Sequence, residues 1–162
     1  MNHVTVEVEE VPPPLWIDSV RRFALKVLNK LKHENWELSI LLCGDKTITE
    51  LNSEFRNKPE STDILSFSLD TEIQENGETF YLPGDIVISL DTLSENARYF
   101  KIPKDEELRR LIIHGILHLD GMEHKTLDKS EPMLVLQEKI LKTLKDEHII
   151  PTEEQSEKPF ST

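Results

Sequence analysis

The sequence predicts a single α+β domain in which a sheet of about four strands, mixed in direction, packs with about five helices. The length of 162 residues suits one domain with one core. Segments with the alternating apolar pattern of strands are grouped with helical segments before and after them. The 37% hydrophobic and 31% charged content is typical of a globular protein, and no apolar run is long enough to cross a membrane.

The domain is expected to span residues 1–151. After Pro151 the composition becomes polar and acidic, which predicts a disordered tail over 152–162. The amino-terminal residues lack the basic and apolar regions of a signal peptide, so a cytoplasmic location is expected. The single cysteine, Cys43, lies in an apolar run; it excludes an internal disulfide and is expected in the core.

The first four elements are expected to be strand, helix, strand and helix. Valines alternate with polar residues over 4–8, the period of a half-buried strand. After three prolines, apolar residues recur at helical spacing over 16–32, and the apolar run 36–43 predicts a second strand. Asp45 is expected to cap a helix over 46–55. That helix is predicted to bury Ile48, Leu51 and Phe55.

Two further strands are expected at 63–69 and 85–90. The polar, glycine-containing segment 70–78 between them predicts a mobile loop. A short helix is expected at 91–99, and Pro103 suits the first turn of the next helix.

The helix that follows Pro103 is expected to be central, because its apolar residues can bury most of its circumference. Its functional face would open onto a cleft beside the sheet. Its buried stripe is predicted to comprise Leu111, Ile112, Ile116 and Leu119. A last helix is expected over 131–145, with Pro132 at its start.

The formal net charge of −12 argues against a general nucleic-acid binder, which would present a basic surface. Residues 1–15 contribute three acids and no bases, and residues 146–162 contribute five acids and one lysine. The two ends therefore carry −7 of the net charge and the remaining chain carries −5. A local and selective basic cleft is compatible with this distribution.

Three histidines, His114, His118 and His124, form a His-x3-His-x5-His pattern. Residues four apart share one face of a helix, so the first two imidazoles can bind one ion. Gly121 can end the helix in the left-handed conformation and let His124 return as a third ligand. From the histidine content, chance gives roughly 0.008 occurrences of this spacing. The alternative is that all three are ordinary polar-face and loop residues, but the pattern favours a zinc ion with an open position for water.

The spacing matches the metzincin signature His-Glu-x-x-His-x-x-Gly-x-x-His except at Gly115. In those peptidases the glutamate at this position is the general base that activates the metal-bound water. Glycine cannot accept a proton, so a peptide hydrolase is disfavoured. Either the base comes from elsewhere, or the metal-bound water needs little help, or the site is not hydrolytic.

Arg56 is a candidate phosphate binder. It begins the segment Arg-Asn-Lys-Pro-Glu-Ser-Thr-Asp between a predicted helix and a predicted strand. A guanidinium can bind phosphate oxygens in bidentate fashion, which a lysine cannot do. The competing interpretation is a solvated surface arginine.

Four acids are candidate neighbours of the metal. Asp85 is a candidate acceptor for a ligand imidazole, or it caps a turn. Asp120, Glu123 and Asp128 flank the third histidine, where they orient it, accept protons or form a solvated acidic rim. The residues alone do not rank these roles. The other three histidines are expected to have no functional role.

Three ordered segments carry a family resemblance. Residues 114–124 read His-Gly-Ile-Leu-His-Leu-Asp-Gly-Met-Glu-His, Arg56 precedes Thr-Asp-Ile-Leu-Ser-Phe at 62–67, and residues 84–89 read Gly-Asp-Ile-Val-Ile-Ser. They resemble the His-Gly-x-Leu-His-Leu-x-Gly-Tyr-Asp-His, Thr-Asp-Val-Leu-Ser-Phe and Gly-Asp-Ile-Val-Ile motifs of the YbeY endoribonuclease family. Met122 replaces the usual tyrosine, and Glu123 replaces the usual aspartate, which leaves any role of that carboxylate open.

The resemblance implies a zinc-dependent endoribonuclease, specific for single strands, that acts in processing of the 3′ end of small-subunit ribosomal RNA and in ribosome quality control. The implied partners are ribosomal RNA and the ribosome or its small-subunit assembly factors. It also implies that the three histidines hold one zinc ion and that Arg56 binds phosphate during catalysis.

Two other interpretations remain open from the sequence. One is a metal-dependent hydrolase of another bond, including a peptide bond. The other is a non-enzymatic, zinc-stabilised ribosome-assembly module, in which a fourth protein ligand, from Asp120 or Asp128, would close the site.

Overall fold

The computed structural model describes residues 1–151, so the tail expected at 152–162 lies outside the described residues. This part of the chain contains five helices and one four-stranded sheet, which confirms the α+β prediction. None of these helices has the length and apolar content that a membrane span requires. In chain order the elements are β1 (His3–Val8), α1 (Ile17–Lys30), β2 (Glu37–Cys43), α2 (Asp45–Arg56), β3 (Ile64–Glu75), β4 (Glu78–Ser89), α3 (Leu90–Phe100), α4 (Lys104–Leu119) and α5 (Pro132–Thr143).

The sheet is mixed and has the strand order β1-β2-β4-β3. β1 is parallel to β2 and β2 is parallel to β4, whereas β3 runs antiparallel to β4. Side chains alternate between the two faces of a strand, so β4 directs Ile86 and Ile88 to one face and Val87 to the other. The first face carries the larger core, which includes residues of α1, α3, α4 and α5. The second face carries a smaller cluster that includes Ile48 of α2.

The mobile loop predicted at 70–78 is wrong, because β3 and β4 continue through it as a long hairpin. The turn is formed by Asn76 and Gly77, both with positive φ (51° and 82°), as an Asn-Gly hairpin turn requires. A register shift between Ser68 and Thr71 marks an irregularity in the ladder. Most residues of this segment are exposed to solvent, which accounts for their polarity. The polarity therefore does not indicate a lack of regular structure.

The predicted cap of α2 is also wrong. Asp45 is the first residue of the helix, and its N-cap is Gly44. The carboxylate of Glu10 accepts hydrogen bonds from two backbone amides of the first turn. Asp45 instead accepts hydrogen bonds from the hydroxyls of Ser89 (2.7 Å) and Thr92 (2.6 Å), at the start of α3. A residue distant in sequence has thus taken the capping role, which local sequence does not reveal.

Two predictions about buried residues have opposite outcomes. Phe55 of α2 was expected in the core but is 62% exposed, because α2 covers only part of its sheet face. Cys43 is buried as expected, and its thiol donates to the carbonyl oxygen of Ile88 (3.6 Å). Burial raises the pKa of this thiol to about 12, as befits a core residue.

Helix α4 contacts α1, α3, α5 and two strands, β3 and β4. The four residues predicted for its stripe are all buried: Leu111, Ile112, Ile116 and Leu119. Gly115 faces the sheet, where an added Cβ would lie 2.8 Å from Ile86 Cδ1 and 3.1 Å from Ile64 Cδ1. The absence of a side chain at this position therefore lets the helix approach the sheet closely.

Candidate metal centre

The three histidines of the motif converge at the carboxyl end of α4. His114 and His118 lie one turn apart on the helix, and His124 lies in the segment that follows it. One nitrogen from each of the three rings lies within 4.8 Å of the others. The ring centroids are 4.6, 5.4 and 5.7 Å apart. This arrangement allows the three side chains to bind one ion.

Gly121 ends the helix in the way that its position predicts. Its φ of +91° is the positive value that glycine adopts readily. The amide of Met122 donates to the carbonyl of Leu117, and the amide of Gly121 donates to that of His118, both at 3.0 Å. This pair of bonds is a Schellman motif, which reverses the chain direction and brings His124 back towards the helix.

Two of the imidazoles are oriented by hydrogen bonds at Nδ1. His114 Nδ1 lies 2.6 Å from Gln137 Oε1, and His124 Nδ1 lies 2.9 Å from the carbonyl oxygen of Thr126. Both partners are acceptors, so each Nδ1 carries the proton and each Nε2 presents a lone pair. Such bonds are typical of metal-binding histidines, because they fix the tautomer and the ring orientation.

Sequence reasoning missed Gln137. The detectable signal was a polar residue at a core position of α5, at helical spacing from the buried Met133 and Ile140. Gln137 is 6% exposed, so its side chain lies in the interior, where it contacts His114.

Burial lowers the pKa of both His114 and His118 below the ordinary value. At His114 the hydrogen bond with Gln137 opposes this effect but does not cancel it. At His118 the neighbouring imidazoles of His114 and His124 lower the pKa further. Neutral imidazoles are the form that binds metal, so these two side chains are ready to bind a cation at neutral pH. Three neutral nitrogen donors suit zinc and leave a coordination position for water or substrate.

The fourth ligand required by a structural zinc site is not in place. Within residues 1–151 the cluster contains the three histidines and no carboxylate. Asp120 Oδ2 is hydrogen-bonded to His33 Nε2 at 2.8 Å. Asp128 accepts hydrogen bonds from the amide and hydroxyl of Ser130. Of the three acids near His124 in the sequence, Glu123 is the one that lines the cavity at the histidines.

Arg56 lines the same cavity as the three histidines, a space of about 400 Å³ that β3 also borders. Its Nη2 donates to the carbonyl oxygen of Ser66 at 2.6 Å, and its guanidinium carbon lies 5.5 Å from the centre of the Phe67 ring. The end of α2 and strand β3 thus hold a permanent positive charge beside the candidate metal centre. A cation and three neutral metal donors around one cavity can bind an anionic oxygen ligand.

The model of the family described as "Endoribonuclease YbeY" matches residues 5–145, nearly the whole described chain. The chain belongs to the YbeY endoribonuclease family. The chain is 44% identical over 151 residues to the "Endoribonuclease YbeY" of Treponema denticola, covering 91% of this chain and 97% of the relative. It is 47% identical over 126 residues to that of Borreliella burgdorferi strain ZS7, covering 74% and 81% of the two chains.

A solved structure has the same fold. A protein of Thermotoga maritima, determined in solution, superposes with a TM-score of 0.63 at 27% identity and covers 89% of this chain and 90% of its own. The likeness shows that the two proteins share one fold over most of their length.

Gly115 distinguishes this member of the YbeY family from the metzincin peptidases in three dimensions as well. A Cβ added here would meet Ile86 of the core and Ile64, which also lines the cavity, whereas Gly115 itself is not among the lining residues. A longer side chain would first overlap with Ile86 and Ile64, and glycine itself has no group that accepts a proton. The catalytic base of a metzincin thus has no counterpart at this position.

Asp85 has neither of the roles considered from the sequence. It lies within β4, paired with Ser39 and Phe67 of the neighbouring strands, and it caps no turn. Its side chain is exposed on the α2 face of the sheet, beside Thr5 and Val87, because neighbouring strand residues point in opposite directions. Ile86, the next residue, faces α4, so Asp85 points away from the imidazoles.

Proposed function

We propose that this chain is a zinc-dependent endoribonuclease that cleaves single-stranded RNA, with one zinc ion held by His114, His118 and His124. The observation that carries the proposal is the position of Arg56 on the wall of the same cavity. A peptide bond is neutral before it reacts, whereas a phosphodiester already carries a negative charge that this cation can neutralise. The endoribonuclease names of the relatives support the same class of substrate.

Family membership supports a proposal for the biological setting. We propose that the substrate is ribosomal RNA, cut near the 3′ end of the small-subunit RNA, and that the enzyme also acts in ribosome quality control. Its partners would be the ribosome or small-subunit assembly factors, in the cytoplasm.

The residues of the cavity have different roles in the proposed reaction. When bound, zinc would supply Lewis-acid polarisation of the phosphodiester and lower the pKa of a bound water. Arg56 binds a nonbridging phosphate oxygen and stabilises the charge that develops on it. Gln137 and the carbonyl of Thr126 keep the imidazoles of His114 and His124 oriented through Nδ1. Glu123 is the acid among the lining residues and can accept a proton there.

The proposal is tested by comparing cleavage of single-stranded RNA, duplex RNA and casein after measuring bound zinc. Wild type should cut single-stranded RNA and leave casein intact. His114→Ala should lose both zinc and RNA cleavage, whereas His3→Ala, a histidine outside the cavity, should retain both. Undiminished RNA cleavage by His114→Ala would contradict the metal-dependent mechanism.

The role of Arg56 is tested separately. Arg56→Ala should keep its zinc and lose about 100-fold in RNA turnover, the usual cost of removing one charge-stabilising donor. Arg56→Lys should recover only part of that loss, because an ammonium group cannot form the bidentate contact. Unchanged turnover in Arg56→Ala would remove the phosphate role while leaving the metal centre intact.

A further inference from the structure

A second cavity, of about 350 Å³, adjoins the candidate metal centre. Three residues line both cavities: Ser68, His118 and Leu119. His118 is therefore a shared wall between the two spaces. If the proposed function holds, a nucleotide whose phosphate is bound at the histidines has this second cavity within reach of its base.

The second cavity has an aromatic wall that is already in place. The ring of Tyr81 lies against that of Trp36 at a centroid distance of 5.1 Å, and Trp36 is stacked on His33 at 3.7 Å. Trp36 is 7% exposed and forms the floor, whereas Tyr81 is only partly buried. The backbone amide of Tyr81 donates to the carbonyl of Asn35 at 2.8 Å, which ties the hairpin to this floor. Such rings are the usual stacking partners of unpaired nucleobases.

Two carboxylates complete the lining. Asp70 Oδ1 accepts a hydrogen bond from the Tyr81 hydroxyl at 2.7 Å, and Asp120 Oδ2 is bonded to His33 Nε2 at 2.8 Å. Each contact orients the carboxylate through one oxygen, and an ionised carboxylate has capacity for several donors. Two negative charges disfavour phosphate in this space but favour a ligand with N–H donors.

These features select among the nucleobases. All four bases have a face that can stack on Tyr81, so the aromatic wall alone does not discriminate. Guanine presents two adjacent N–H donors, at N1 and N2, which match the two oxygens of one carboxylate. Cytosine and adenine present an amino group at this edge without an adjacent ring N–H donor, and uracil presents one ring N–H flanked by carbonyl oxygens. A carboxylate therefore favours guanine and repels the carbonyl oxygens of uracil.

We infer that the cavity formed by Trp36, Tyr81, Asp70 and Asp120 binds the base of a nucleotide beside the cleaved bond and prefers guanine. The inference rests on the proposed function and adds a base subsite to it. The phosphate is common to all nucleotides, so its binding by Arg56 and the histidines does not distinguish the bases. This cavity contacts the base and therefore provides the preference.

The test uses the zinc-loaded full-length chain and a single-stranded RNA library of random sequence, with the bases on both sides of each cut determined by sequencing. Wild type should show guanine enriched over uracil by about tenfold at one of these two positions, the usual discrimination of one bidentate contact. The double variant Asp70→Asn/Asp120→Asn should lose the preference. The matched control Glu75→Gln/Glu78→Gln, with the same charge change at the hairpin tip, should keep it.

The stacking wall is tested by two variants of one residue. Tyr81→Leu should lower kcat/KM by about tenfold, while Tyr81→Phe, which keeps the ring, should retain most of it. Bound zinc and thermal unfolding are measured for each variant, so a folding defect is recognised. The double variant Asp70→Asn/Asp120→Asn and its control then test the subsite independently of Tyr81. Base-independent cleavage by wild type, or a preference that survives the double variant, would overturn the subsite while leaving the nuclease intact. Absence of RNA cleavage by wild type would overturn the proposed function itself.

Discussion

His114 Nδ1 and Gln137 Oε1 are joined by a hydrogen bond of 2.6 Å that links α4 to α5. Gln137 is itself held, because its Nε2 donates to Glu138 Oε2 at 3.0 Å, and Glu138 pairs with Arg110 of α4. The orientation of a candidate metal ligand thus depends on the packing of a second helix.

Gln137→Leu should weaken zinc binding by about 10- to 100-fold, the usual effect of removing the partner of a metal-binding histidine. Leucine has a similar size and suits the buried position, so the fold should persist. The measurement is competition for zinc with a chromophoric chelator. Gln74→Leu, on the exposed hairpin, is the matched control and should bind zinc as wild type does. Equal affinity in both variants would show that Gln137 has no orienting role.

The pH dependence of zinc binding should reflect the lowered pKa values of His114 and His118, for which burial is the largest cause. At these two ligands protons compete with the metal only below those values, so His114 and His118 should cost zinc little affinity down to about pH 6.5, where a free imidazole is already half protonated. The affinity should then fall as the two imidazoles protonate. Zinc titrations over a pH series test this, and a steep loss of affinity beginning above about pH 7 would contradict it.

Gly115→Val should destabilise the fold by about 3 kcal/mol, because the branched side chain would overpack the contact with Ile86 and Ile64. The measurement is the free energy of unfolding by urea. Lys139→Val, at an exposed position of α5, introduces the same residue into a helix and should cost only about 0.5 kcal/mol. A loss of about 0.5 kcal/mol or less in Gly115→Val would contradict close packing at this position, because valine is itself a better helix former than glycine.

Asp105 fastens the segment after α5 to α4. Its Oδ1 accepts hydrogen bonds from the amides of Ile149 (2.7 Å) and Ile150 (2.8 Å), and its Oδ2 pairs with Arg109 (2.9 Å) and His148 (3.0 Å). Burial raises the pKa of this carboxyl, but the hydrogen bonds and the charge of Arg109 outweigh it and leave the pKa below its ordinary value. The charged form therefore stabilises the folded state.

Asp105→Asn should lower the free energy of unfolding at pH 7 by about 3 kcal/mol, because it leaves a buried arginine without its charged partner. Since the folded-state pKa is lowered, the stabilisation by Asp105 is present above the unfolded pKa of about 4 and is lost as the pH falls through the folded-state value. The difference between wild type and variant in urea unfolding should thus shrink towards pH 3. A constant difference would contradict this, and Asp146→Asn, at an exposed position, should show little effect at any pH.

The metal ligands were predictable because their geometry is local. Helical periodicity places His114 and His118 on one face, and Gly121 provides the positive φ that returns the chain to His124. The mixed α+β class was predictable for a similar reason, since the alternation and helical spacing of apolar residues are properties of short segments. The Asn-Gly turn at residues 76 and 77 is equally local, and it is the signal for the hairpin that the prediction of a loop did not use.

Contacts between distant segments required the tertiary structure. The order β1-β2-β4-β3 puts β3 at the edge of the sheet, where Arg56 donates to the carbonyl of Ser66 and lines the cavity of the histidines. The pleat of β4 turns Asp85 to the opposite face, and the docking of α5 supplies Gln137 to His114. Backbone periodicity determines which residues of one element share a face. The element that each face contacts depends on strand order and helix packing, because these result from many weak interactions over the whole chain.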